Sequence, residues 1–160
     1  MGHKVSEVGA WLLPLGGGLH GSLGEQEIVH VLPDRPLLQE IPQSPAYCST
    51  VLIWEGEVLP VMDLAVRLAG PARALAERLE TFAVVAFRAQ PDVAPRHGAL
   101  VLSAAPVRIR VGDEQACELP EPRSRWQPLS MACFRHPDHG PVPVLDLPRV
   151  FLLPPAAEDQ

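Results

Sequence analysis

Apolar residues in this chain fall in short runs broken by glycine and proline. The clearest pattern lies in the first half. Val51-Leu52-Ile53-Trp54 and Val58-Leu59-Pro60-Val61-Met62 flank the turn Trp54-Glu55-Gly56-Glu57. Two such runs around a glycine-containing turn predict a β-hairpin. Asp63 follows, then Leu64-Ala65-Val66-Arg67-Leu68. An aspartate there suits a helix N-cap, because its carboxylate accepts from backbone N–H groups that have no partner inside the helix. The unit reads strand, turn, strand, short helical turn. Gly140-Pro141-Val142-Pro143-Val144-Leu145-Asp146-Leu147 repeats the order of glycine, valine-rich run with proline, then Asp-Leu. The two aspartates stand 83 positions apart, about half the chain. A repeat at that spacing fits two similar small β-modules side by side.

The same pattern predicts strands at 11–15, 19–23, 27–32, 82–87, 98–102 and 107–111. A last hairpin is expected at 129–134 and 142–145, with 147–152 closing the chain. Val107-Arg108-Ile109-Arg110-Val111 alternates cleanly, so one of its faces should be wet. Gly16-Gly17-Gly18 is a turn, since glycine tolerates positive φ. Residues 33–45 and 112–127 read as loops, and 1–9 and 154–160 as loose termini around a domain spanning 10–153. One helix stands out at 72–80, ARALAERLE. Pro71 suits its first position, and Ala72, Leu75, Ala76 and Leu79 share a face. It is short and is expected to connect the two modules. The chain's 19 prolines are spread throughout. Proline cannot donate to a sheet ladder and belongs at edges, strand starts and loops, so many short strands so punctuated predict a small barrel or sandwich.

Composition narrows the function. At 160 residues with 47% hydrophobic content, the chain has enough for one domain or two small ones. No apolar run reaches the roughly 18 residues of a membrane span. The run at 11–15 is too short for a signal peptide, which makes the cytoplasm the expected compartment. Cys48, Cys117 and Cys133 show no paired spacing and are expected to be reduced thiols. Net charge is −6 without a basic cluster, which argues against nucleic acid, since binding it takes clustered Lys and Arg.

Candidate chemistry is sparse. Cys133, His136, Asp138 and His139 sit close together in sequence, and a metal site there would need a further ligand from His97 or Asp92. The spacing matches no standard zinc pattern. The alternative is a proline-rich hairpin tip with solvated polar side chains. Gly16-Gly17-Gly18 lacks the Lys-Ser/Thr tail of a phosphate cradle. There is no Gly-x-Ser-x-Gly. Cys48 reads as a small buried hydrophobe, and Asp63 and Asp146 as equivalent caps. Trp54 is either a partner-facing aromatic or a core residue, while Trp11 and Trp126 read as core.

The order of these features resembles the CheW-like domain family. The resemblance rests on Pro42-x-x-Pro45-Ala46-Tyr47, an apolar strand, Gly56, and Val58-Leu59-Pro60-Val61-Met62-Asp63-Leu64. It continues through 82–87, Gly98-Ala99-Leu100-Val101-Leu102, Val107-Arg108-Ile109 and Val144-Leu145-Asp146-Leu147, and so spans about 11–152. It implies an all-β chain of two five-stranded SH3-like β-barrels packed on a shared core, with strands exchanged between the halves. It implies a non-enzymatic adaptor without cofactor or metal. Its implied partners are the regulatory domain of a CheA-type histidine kinase and the cytoplasmic tip of a chemoreceptor. Thr50 and Glu55-Gly56 stand where the family usually has Gly and Arg-Gly, and His30 stands where an acidic residue is common. Glu55 therefore reverses a charge. On this reading Ile28, Thr50, Trp54 and Glu55 face a partner, and the alternative places Ile28 and Trp54 in the core. A second reading, from a different class, is a small metal-dependent enzyme centred on His136 and His139. A third, a barrel binding single-stranded nucleic acid, is opposed by the negative charge and an aromatic content of 5%.

Overall fold

A computed structural model describes residues 7–32, 34, 36–70 and 81–152. The helix expected at 72–80 and the C-terminal tail lie outside the described residues. In chain order the strands are β1 (Glu7–Gly16), β2 (Leu19–Gly24), β3 (Ile28–Leu32), β4 (Leu38–Glu40), β5 (Thr50–Trp54) and β6 (Glu57–Met62). Helix α1 (Leu64–Ala69) is next, then β7 (Thr81–Phe87), β8 (Arg96–Leu102) and β9 (Val107–Gly112). The short α2 (Arg123–Trp126) precedes the closing hairpin of β10 (Ser130–His136) and β11 (Gly140–Leu145), and α3 (Leu147–Leu152) follows it.

The described strands form two sheets, ordered β10-β11-β2-β1-β9 and β4-β5-β6-β8-β7-β3. Apart from the three-residue edge strand β4, the two orders are the same. Each begins with an antiparallel hairpin, β10–β11 or β5–β6. Each then joins a second hairpin through a parallel contact, Val144 with Ser22 in one sheet and Val61 with Ala99 in the other. Each ends on one more antiparallel strand, β9 on β1 or β3 on β7. These are the two SH3-like barrels of the all-β class. The leading hairpin of each half of the chain, β1–β2 or β7–β8, sits in the barrel of the other half.

This reciprocal placement explains why the exchanged hairpins are so apolar. Along β7, Phe82 and Val84 enter the core of their own barrel with Leu52, Leu59 and Val61. Ala83, Val85 and Phe87 point the other way, into a larger core shared with Leu13, Leu15, Leu64 and Leu147. β1 does the same, with Leu12 in its barrel beside Phe134 and Val142 and with Leu13 and Leu15 in the shared core. A strand buried on both faces reads as a continuous apolar run instead of an alternation, which accounts for the uninterrupted sequence of 82–87.

The two aspartates act as the pattern predicts. The Asp63 carboxylate accepts from the N–H of Val66 at 3.1 Å and begins α1. The Asp146 carboxylate accepts from the N–H of Arg149 at 3.3 Å and begins α3. Their own N–H groups donate to equivalent carbonyls ahead of each hairpin, Asp63 to Tyr47 at 2.7 Å and Asp146 to Leu129 at 2.8 Å. Both accepting residues lie in one-turn 3-10 helices, Ala46–Cys48 and Gln127–Leu129. The glycine run at 16–18 turns β1 into β2 with φ of 103°, 64° and 80°, values a side chain would oppose.

Candidate interaction face

The β5–β6 hairpin closes through a two-residue turn. Glu55 has φ 48° and Gly56 φ 79°. Positive φ at both central positions is the requirement of a type I′ turn, whose twist matches the strands it joins. Glycine takes this conformation without strain. A glutamate does not, and a non-glycine residue held there costs of order 1–3 kcal/mol. Strain of this kind gathers at functional sites, and the side chain it presents at the tip is an exposed carboxylate.

Register fixes which residues look outward. Ile53 pairs with Val58, and Leu52 with Leu59. Leu52 and Leu59 are buried in the barrel, so side-chain alternation turns Ile53 and Val58 to the opposite face. There they stand 69% and 64% exposed as a cross-strand apolar pair. Val51 and Pro60 continue the same face, half-buried. Edge strand β4 pairs with residues 50–52 only, so it does not cover this end of the hairpin.

Trp54 lies on the inner face and is half-buried against the barrel core. Its ring is 5.6 Å from that of His97 on β8 and 6.3 Å from that of His30 on β3. His97 Nδ1 lies 3.2 Å from the Glu57 carboxylate. Strands β3 and β5 are far apart in sheet order, so the His30–Trp54 contact marks where the sheet curls back on itself. Trp54 thus plugs the barrel's end directly beneath the exposed turn.

The four residues singled out from sequence occupy three places. Trp54 and Glu55 are together at the hairpin tip. Thr50 begins β5, four residues away on the same inner face, and lines a cavity of about 150 Å³ with Tyr47, Ser49, Val61, Asp63 and Phe82. That volume is below the roughly 300–1,000 Å³ of small-molecule sites. Ile28 pairs with Val85 and packs on the shared core. Sequence reasoning missed Ile53 and Val58. The signal was available: a two-residue turn pairs 53 with 58, and burying Leu52 turns both outward.

The histidine cluster takes another form. His139, in the β10–β11 turn, stacks on His20 of β2 with ring centroids 3.9 Å apart, and the ring of His136, at the end of β10, lies tilted to that of His139 at 4.9 Å. His136 Nδ1 accepts from the N–H of Asp138 at 3.0 Å. His97, considered as a further ligand, belongs to the other barrel. Cys133 is turned toward Cys117. Among the described residues no group of three or more His, Cys, Asp or Glu is arranged to hold a metal ion. Burial pushes the Cys48 thiol above its ordinary value, with Arg67 opposing, so the thiolate is disfavoured there. Among the described residues no helix is long and apolar enough to cross a membrane.

A family model for the CheW-like domain matches residues 25–154. None of the curated proteins matches the sequence. Among solved structures, the crystal structure of the scaffolding protein TtCheW from Thermoanaerobacter tengcongensis is similar with a TM-score of 0.73. The two are 16% identical, and the match covers 96% of this chain and 93% of that one. It is a likeness of fold.

Proposed function

From the premise that this chain belongs to the CheW-like domain family, we propose that it is a non-enzymatic chemosensory adaptor. It works in the cytoplasm and couples a chemoreceptor tip to the regulatory domain of a CheA-type histidine kinase. The module concerned runs over 10–153. The observation that carries the reading is the β5–β6 hairpin, an apolar pair of Ile53 and Val58 on a rigid ladder beside the acidic, strained tip at Glu55. Association through such a face buries apolar area while charges at the rim select the partner. Glu55 faces that partner, Trp54 backs the tip from the barrel's end, Thr50 stands at the foot of the same hairpin, and Ile28 supports β3 at the barrel's seam.

Glu55 and Glu57 give the tip a negative charge, which suits a basic patch on the partner. Reversing the charge by Glu55→Arg places like charges together and weakens or redirects binding. The test is a pull-down from the source organism with native protein and with Glu55→Arg. Capture of a CheA-type kinase or a receptor by native protein, and a changed yield with the variant, supports the proposal. Capture of neither component contradicts it.

The metal-dependent alternative at His136 and His139 has less support. Those rings lie against one another, and Cys133 and His97 are engaged elsewhere.

A further inference from the structure

Cys117 and Cys133 are 16 residues apart, and their Sγ atoms lie 3.6 Å from each other. The contact arises where one barrel closes. β9 and β10 are the two edges of the five-stranded sheet. The chain leaving β9 swings round so that Ala116 bridges Phe134 on β10 in antiparallel fashion. The N–H of Cys117 then donates to the carbonyl of Cys133 at 3.0 Å. The two cysteines therefore stand directly opposite across the seam. Residues facing each other across antiparallel strands have Cα atoms about 4.5–5.5 Å apart, inside the range a disulfide accepts.

The two thiols differ. Cys133 is buried, on the face of β10 away from Phe134 and the barrel core, and its Sγ donates to the carbonyl of Glu118 at 3.4 Å. Burial first, then the neighbouring Cys117, pushes its pKa up to about 12. Cys117 is half-exposed.

We propose that Cys117 and Cys133 form a reversible intramolecular disulfide site that responds to peroxide. The Cys117 thiolate attacks one peroxide oxygen and the O–O bond breaks. Cys117 becomes a sulfenic acid, and the other oxygen leaves as hydroxide, which takes up the proton the Cys117 thiol had released and becomes water. Cys133 then attacks the Cys117 sulfur. An S–S bond forms, the S–O bond breaks, and the hydroxyl leaves with the Cys133 proton as a second water. Two thiols are oxidised by two electrons and one peroxide is reduced. The bond ties the segment after β9 to β10 and so closes the barrel covalently.

The test treats the full purified chain with hydrogen peroxide. The expected product is a monomer lighter by two hydrogens, with trypsin releasing a linked pair of peptides, 111–123 and 126–135. Cys48 stays open to alkylation, and dithiothreitol restores all three thiols. Dimedone added during oxidation is expected to label Cys117 in Cys133→Ser and to leave Cys133 unlabelled in Cys117→Ser. The oxidised protein should unfold at higher urea than the reduced one. Persistence of three alkylatable thiols after peroxide, a bond involving Cys48 or a second chain, or equal dimedone labelling of Cys133 would overturn the proposal.

Discussion

The guanidinium of Arg67 donates to the carbonyl of Val150 at 3.4 Å, across 83 residues of sequence. That separation is the one between Asp63 and Asp146. Each partner is therefore at the same place in its own half, four residues after its capping aspartate. The contact ties α1 to α3 at the point where the halves face each other. Arg67 also lies over the Tyr47 ring, 4.7 Å from its centroid.

Removing Arg67 should therefore cost stability in both halves at once. A charge-assisted hydrogen bond contributes about 1.5–3 kcal/mol, and an exposed cation–π contact about 0.5–1 kcal/mol. Arg67→Ala is expected to destabilise the protein by about 2 kcal/mol in urea unfolding, by those magnitudes. An unchanged urea midpoint would show that the contact is idle.

The capping aspartates offer a paired test. Asp63→Ala and Asp146→Ala each remove one acceptor for a helix N–H, and each is expected to cost about 1 kcal/mol. Asp63→Asn keeps an acceptor oxygen and should recover most of the loss. Chemical denaturation of the three variants checks this.

The turn should respond in the opposite direction. Asparagine tolerates positive φ far better than glutamate. Glu55→Asn is expected to raise stability by about 1 kcal/mol at an unchanged m-value. It should also weaken partner binding, because the carboxylate is gone. Strain held for function is the case in which stability and binding move apart.

Glu27 gives a pH signature. Its carboxylate accepts from the N–H of Gly24 at 2.7 Å. Burial raises its pKa above 4.5, the Gly24 hydrogen bond opposes, and Asp146 adds to the rise. The folded state thus holds the proton more tightly than the unfolded chain. Stability from this group is greatest below the ordinary carboxyl value and falls as pH rises from there through the raised folded value. Glu27→Gln keeps an acceptor and removes the charge. It is expected to match or exceed the native protein in stability at neutral pH, with the advantage shrinking in acid. Denaturation midpoints across acid and neutral pH check the trend.

Much of the fold was legible locally. The β5–β6 hairpin, the Asp63 cap and the half-length repeat come from short-range pattern, and each appears in place. The strand at 11–15 is longer than expected, running Glu7–Gly16, because β9 pairs with it as far as Glu7. Residues 112–127, expected as loop, carry α2 with Trp126 buried in the shared core. Proline and charge there hid the short helix, although Trp126 itself reads as core. Which hairpin joins which barrel was not readable from local pattern, since β1–β2 and β7–β8 have similar composition and pairing is decided by the closed core. The Cys117–Cys133 contact was hidden for the same reason. The Ala116–Phe134 bridge that creates it joins chain ends of a sheet, and cysteine spacing carries no trace of it.

The most direct measurement is calorimetric titration of the purified chain with the regulatory domain of a CheA-type kinase from the same organism. It is run with native protein and with Ile53→Glu/Val58→Glu, whose substitutions lie on the solvent face and should leave unfolding midpoints nearly unchanged. The expected result is saturable binding that weakens at least about tenfold in the double variant, roughly 1.4 kcal/mol. Equal affinity for both proteins would contradict the assignment of this hairpin face as the docking surface.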